Sequence, residues 1–220
     1  ELVLKELIPD IYNQAIEKSI SDRKKADIHR KIADNLVKMG DSEKGHEECA
    51  KGLTLLHGED SVESARLLIA QGWAYSKIGE YEKALKYCDE GMNIASKFNM
   101  VKEIGQAHHS LATTYWFKGD FDTAVNHLKA AIKIRETSGD TLGLAGSLLN
   151  IGSVYHLKGE LDKALEHKMR SYDLYQKTGE KIGIATALNN IGITFSDQGN
   201  IDKCLEYYEK SLMIRKMIGD

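Results

Sequence analysis

The chain holds 220 residues, 42% apolar and 29% charged, with 30 basic and 33 acidic side chains and a formal net charge of −3. That balance suits a helical protein with solvated outer faces and supplies no basic field for nucleic acid. No apolar run approaches the ~20 residues that cross a bilayer. Cys49, Cys88 and Cys204 stand singly within helix-like stretches, so no disulfide framework is expected. Their number and spacing favour a reducing, cytoplasmic setting, and Cys88 and Cys204 are predicted to pack as small hydrophobes.

Residues 1–21 come first and fit no repeat. Leu4, Leu7, Ile8, Ile11, Ala15 and Ile16 share one helical face, which predicts an amphipathic helix opened or kinked by Pro9. Beyond it, five glycines recur at nearly constant spacing: Gly40, Gly79, Gly119, Gly159 and Gly199, with gaps of 39, 40, 40 and 40 residues. Each ends one helix-like stretch and precedes another. Hairpins are therefore predicted at 22–60, 61–100, 101–140, 141–180 and 181–220, as one array.

Aligned on those glycines, each copy carries a small residue and, three places later, a large one: Ala33 and Leu36, Gly72 and Tyr75, Ala112 and Tyr115, Gly152 and Tyr155, Gly192 and Phe195. Nine residues further on another small one follows: Gly45, Ala84, Ala124, Ala164 and Cys204. Small residues let the two helices of a hairpin approach closely, and the large one fills the space beside them. The spaced glycine ends the first helix in a left-handed conformation.

This pattern resembles the tetratricopeptide repeat, whose signature runs Leu-Gly-x-x-Tyr, then Ala, then an aromatic, then Pro. Ile151-Gly152 with Tyr155, Gly159 and Ala164 carries the resemblance, as does Ile191-Gly192 with Phe195, Gly199, Cys204 and Tyr208. The period is 40 rather than about 34 residues, and the terminal Pro is absent. Ser138-Gly139-Asp140, Thr178-Gly179-Glu180 and Ile218-Gly219-Asp220 stand there instead. Longer repeats of this kind are similar to those of LGN/Pins scaffolds and of bacterial signalling regulators. HEAT repeats share the length but not the glycine, aromatic and alanine spacing. The resemblance implies an all-α, right-handed superhelical solenoid.

In that fold the first helix of each hairpin lines the concave face. Carried over copy by copy, the resemblance implies partner-binding residues Arg30 and Asp34; Arg66, Ile69 and Trp73; Gln106, His109, Thr113 and Trp116; Leu149, Asn150, Ser153 and His156; Thr186, Asn189, Asn190 and Ile193. Trp73 and Trp116 are candidate anchors, with packing between repeats as the other reading. Asn150 and Asn190 suit either a peptide backbone or a tie between hairpins.

No Gly-rich phosphate loop, His-Glu-x-x-His, Gly-x-Ser-x-Gly or Cys-x-x-Cys occurs. His108 and His109 point about 100° apart on a helix and cannot readily share a metal. Neither enzyme activity, metal nor cofactor is expected. The expected function is a non-enzymatic scaffold binding a protein, peptide or helix in its groove, without nucleic-acid or membrane partners. The alternative is a regulatory segment of a larger signalling ATPase, cyclase or kinase. The last hairpin is expected to expose Ile191, Phe195, Leu205, Tyr208 and Leu212, so that either more chain covers them or copies associate end to end.

Overall fold

The computed structural model describes residues 21–219, which form ten α-helices and, among those residues, no strand. They are α1 (Asp22–Lys38), α2 (Ser42–Thr54), α3 (Val62–Lys77), α4 (Tyr81–Lys97), α5 (Val101–Lys118), α6 (Phe121–Ser138), α7 (Thr141–Leu157), α8 (Leu161–Thr178), α9 (Lys181–Asp197) and α10 (Ile201–Ile218). The amphipathic stretch expected at residues 1–21 lies, but for Ser21, outside the described residues. The chain divides at Gly119 into two compact units, Glu1–Lys118 and Gly119–Asp220.

In the first unit α1 pairs with α2 and α3 with α4. Each second helix also packs on the first helix of the next hairpin, and α1, α3 and α5 are neighbours in turn. The second unit repeats the scheme: α7 pairs with α8 and α9 with α10, α6 packs on α7 and α8 on α9, and α7 lies beside α9. First helices thus form one layer of each unit and second helices the other.

The expected helix stops are present. Gly40, Gly79, Gly119, Gly159 and Gly199 have φ of 88, 86, 80, 78 and 77°. At the end of α1, Gly40 N donates to Val37 O and Asp41 N to Leu36 O, which is the Schellman arrangement. The later copies take the same bond from the large residue of the signature: Glu80 N to Tyr75 O, Glu160 N to Tyr155 O and Asn200 N to Phe195 O. Asn99 (φ 53°) holds the left-handed position after α4 that glycine holds after α6 and α8, Asn being the residue that tolerates it next best. Asp140 caps α7 by accepting from Gly143 N at 3.1 Å.

The close helix approach is equally direct. A Cβ on Gly72 would stand 2.4 Å from Cys88 Sγ and 2.9 Å from Ala84 O; one on Gly152 would stand 2.7 Å from Lys168 Cγ and 3.0 Å from Ala164 O. The large residue of the signature stacks on the second helix of its own hairpin, Tyr75 on Tyr87, Tyr155 on His167 and Phe195 on Tyr207. Lys83, Lys163 and Lys203 lie over those same rings. Serines do comparable work between the helices, Ser171 Oγ donating to Ala145 O and Ser211 Oγ to Ala185 O.

Successive hairpins are tied at one recurring address. Lys158 Nζ bonds Asp122 at 2.5 Å and Gln198 Nε2 bonds Asp162 at 3.0 Å, each pair 36 residues apart. Lys118 reaches Glu82 across the same interval. Cys49, Cys88 and Cys204 are all buried. Burial pushes the Cys88 thiol up to about 12 and the Cys49 thiol up as well, so both pack as apolar groups rather than react.

Candidate interaction faces

The first-helix layer of the first unit carries nine of the candidate residues. Arg30 is held on its own helix, its Nη1 2.6 Å from Asp34 and its Nη2 2.9 Å from Asp27. Burial raises the Asp34 carboxyl above its ordinary range against the pull of Arg30. Arg66 Nε donates to Glu103 at 2.7 Å and ties α3 to α5. Both guanidinium groups are thus already neutralised by carboxylates of the chain.

Trp73 is half-buried, and its indole has neither a ring neighbour nor a hydrogen bond among the described residues. Trp116 is half-buried and stacks on Phe117, with centroids 5.6 Å apart. Gln106 is exposed and directs Nε2 toward Ser110 Oγ at 3.5 Å, and His109 is half-buried. Two residues of the expected set are turned inward. Ile69 is 4% exposed, with its Cγ1 against Gly91 of α4, so it packs the hairpin. Thr113 is buried and donates Oγ1 to His109 O on its own helix.

In the second unit Leu149 is buried, whereas Asn150, Ser153, Thr186, Asn189, Asn190 and Ile193 are half-buried. Ser153 and Thr186 donate to Leu149 O and Ile182 O, and Asn190 Nδ2 donates to Thr186 O at 2.9 Å. The Asn189 amide makes no hydrogen bond among the described residues.

His156 is engaged between hairpins. Its Nε2 lies 2.9 Å from Asp197 Oδ2 and its Nδ1 3.2 Å from Thr194 Oγ1, both on α9. Burial, then Lys168, lowers the imidazole below its ordinary value. Lys168 completes this cluster. It reaches from α8, beneath Gly152, to Thr194 Oγ1 at 2.7 Å and Asn190 O at 3.2 Å, and burial brings its ammonium down to about 8. Arg135 plays the matching part where α6 meets α7, its Nη1 donating to Gly143 O and Ser147 Oγ. Neither buried cation is legible in the sequence, because Lys or Arg on an amphipathic helix ordinarily marks its wet side.

The expected terminal face needs correcting as well. Ile191 and Phe195 are buried with Cys204 in a cluster joined by Leu165, Tyr172 and Tyr207. Leu205, Tyr208 and Leu212 are exposed. Among the described residues no group of three or more His, Cys, Asp or Glu converges to hold a metal ion. No described helix is long and apolar enough to cross a membrane.

Hairpins of this period, stop chemistry and helix approach define a helical-repeat protein, a class whose stacked units create extended surfaces. Residues 78–137 and 143–217, together more than half of the chain, match the tetratricopeptide repeat, and the chain belongs to that family. A 79-residue stretch, 35% of this chain, is 32% identical to the clustered mitochondria protein homolog of Xenopus tropicalis and spans 6% of that protein's length. Among solved structures, the Rap protein complexed with competence and sporulation factor is similar over 96% of this chain and 59% of that one, at 14% identity and a TM-score of 0.84. BtubC from P. vanneervenii is similar over 96% and 88%, at 15% identity and a TM-score of 0.74. The Rap conjugation gene regulator of plasmid pLS20, in complex with the Phr peptide, is similar over 88% and 54%, at 17% identity and a TM-score of 0.76. At these identities the likeness shows the fold.

Proposed function

We propose that the protein is a non-enzymatic interaction scaffold whose first-helix faces hold a peptide or helix of a protein partner. The observation that carries this reading is Trp73. It is a large amphipathic ring, half-buried on α3 without ring or hydrogen-bond partner among the described residues. Such rings dominate many protein interfaces. Two of the similar structures are complexes with a competence and sporulation factor and with a Phr peptide, which supports a peptide as the ligand class. On the second unit the unpartnered Asn189 amide offers the donor and acceptor that an extended backbone requires.

A random-sequence peptide library selected against the 220-residue chain, with affinities measured by calorimetry, tests this. Trp73→Ala and Trp116→Ala should each weaken the selected peptides by roughly 1–3 kcal/mol and leave the helical circular dichroism unchanged. Equal affinity of the double variant and the wild type would overturn the reading.

A second reading makes the array the ligand-sensing segment of a larger signalling protein such as an ATPase, cyclase or kinase. It is favoured by the share of the two Rap chains that this chain matches, 59% and 54%. A catalytic domain joined to the array in the whole protein, with turnover that responds to the same peptides, would support it.

A further inference from the structure

The outer row of α10 breaks with the chemistry of that row in the preceding second helices. Met213 stands where α4, α6 and α8 carry Asn93, Lys133 and Asp173; Met217 stands where they carry Lys97, Thr137 and Lys177. All six of those polar residues are exposed, so no following hairpin covers positions 213 and 217 in the earlier repeats and stacking does not account for the methionines; Leu212 differs, its counterparts Met92, Ile132 and Tyr172 being half-buried. Met213 and Met217 are 64% and 65% exposed, beside Leu212 at 52%. With Glu209 and Lys216 they line one open depression. Exposed methionines in a cluster make an adaptable apolar surface, costly to leave in water.

The order of residues along the row says what fits it. Positions 209, 212, 213, 216 and 217 form a single helical stripe. Laid antiparallel on itself about an axis between Leu212 and Met213, the stripe is self-complementary. Glu209 of one copy then falls opposite Lys216 of the other and Leu212 opposite Met213, and each pairing is repeated in reverse, as a two-fold contact requires. Glu206 and Lys210 on the same helix already pair at 2.5 Å. Glu209 and Lys216 make no ion pair among the described residues.

We propose that α10 is a homodimer interface: a second copy of this chain lays its own α10 antiparallel across Leu212, Met213 and Met217, with a Glu209–Lys216 pair at each end. The contact uses the second-helix layer and leaves the first-helix faces open, so it stands apart from the scaffold reading.

Sedimentation of the 220-residue chain over a concentration series should show a monomer–dimer equilibrium. Glu209→Lys and Lys216→Glu should each raise the dimer dissociation constant about tenfold or more, because each sets two like-charge contacts across the axis. The double variant should return to within about threefold of wild type, since it restores both pairs in the opposite sense. Met213→Glu should give a monomer with unchanged helical content. A chain that stays monomeric at its highest soluble concentration overturns the proposal. So does a dimer indifferent to Met213→Glu, and so does a double charge swap no better than either single.

Discussion

Lys168 carries a cation that is 1% exposed, and its direct partners are a hydroxyl and a backbone carbonyl rather than a carboxylate. Burial lowers its pKa from the ordinary 10.5 to about 8, so between those values the unfolded chain holds a proton that the folded chain has released. The resulting destabilisation is fully present below pH 8 and is relieved as the pH climbs toward 10.5. Urea unfolding of the wild type should therefore show stability rising by about 3 kcal/mol across that window, relative to Lys168→Met, which lacks the titrating group. Parallel pH profiles for the two proteins would discount the lysine. Gln71 presents the opposite case. It is 3% exposed, its Oε1 has no partner among the described residues, and the equivalent positions hold Ile32, Leu111, Ile151 and Ile191. Gln71→Ile should raise the unfolding free energy by roughly 1–2 kcal/mol, read from the denaturant midpoint at constant slope.

Helices stop and cross as the repeat pattern predicts, because both devices are written in single residues. A glycine at fixed spacing takes the left-handed turn, and a missing Cβ lets a neighbouring helix in. The two kinds of glycine separate experimentally within α7. Gly152→Ala would press a methyl against Ala164 O, which is backbone and cannot step aside. It should cost about 1–3 kcal/mol despite the better helix propensity of alanine. Gly146→Ala meets only Tyr175 Oη, at 3.5 Å, and should gain roughly 0.5–1 kcal/mol. Thermal melts that move in the same direction for both would contradict this account of the hairpin. Where a stop was written in something other than glycine, as at Asn99, spacing alone was silent and the backbone supplied the answer.

Taken over the whole molecule, the fold was far more legible than the candidate site. Period and small-residue spacing survive in any copy, whereas a binding face depends on which side of each helix is turned outward, and Ile69 and Thr113 are turned inward. Buried cations such as Lys168 and Arg135 have no sequence mark at all, since their burial comes from neighbours 22 to 26 and 8 to 12 residues away. The pairing of Arg30 with Asp34 and of Arg66 with Glu103 has a consequence for ligand choice. A free C-terminal carboxylate finds no uncommitted guanidinium at either residue and meets the Asp34 charge. A fluorescent peptide ending Glu-Glu-Val-Asp should show no saturable anisotropy change at micromolar protein, and saturation there would count against the assignment of these ion pairs.

The ties between Lys158 and Asp122 and between Gln198 and Asp162 are addressed by distance along the chain, each joining residues 36 apart. Removing residues 141–180 would carry Gln198 to the place Lys158 now holds, with Asp122 waiting 36 positions before it. A polymer coupled in this way is edited by whole copies: recombination that adds or drops 40 residues preserves the bonding pattern at the splice, while an insertion of any other length breaks it. Copy number is then a heritable variable that can change the reach of the binding surface without redesigning any one contact.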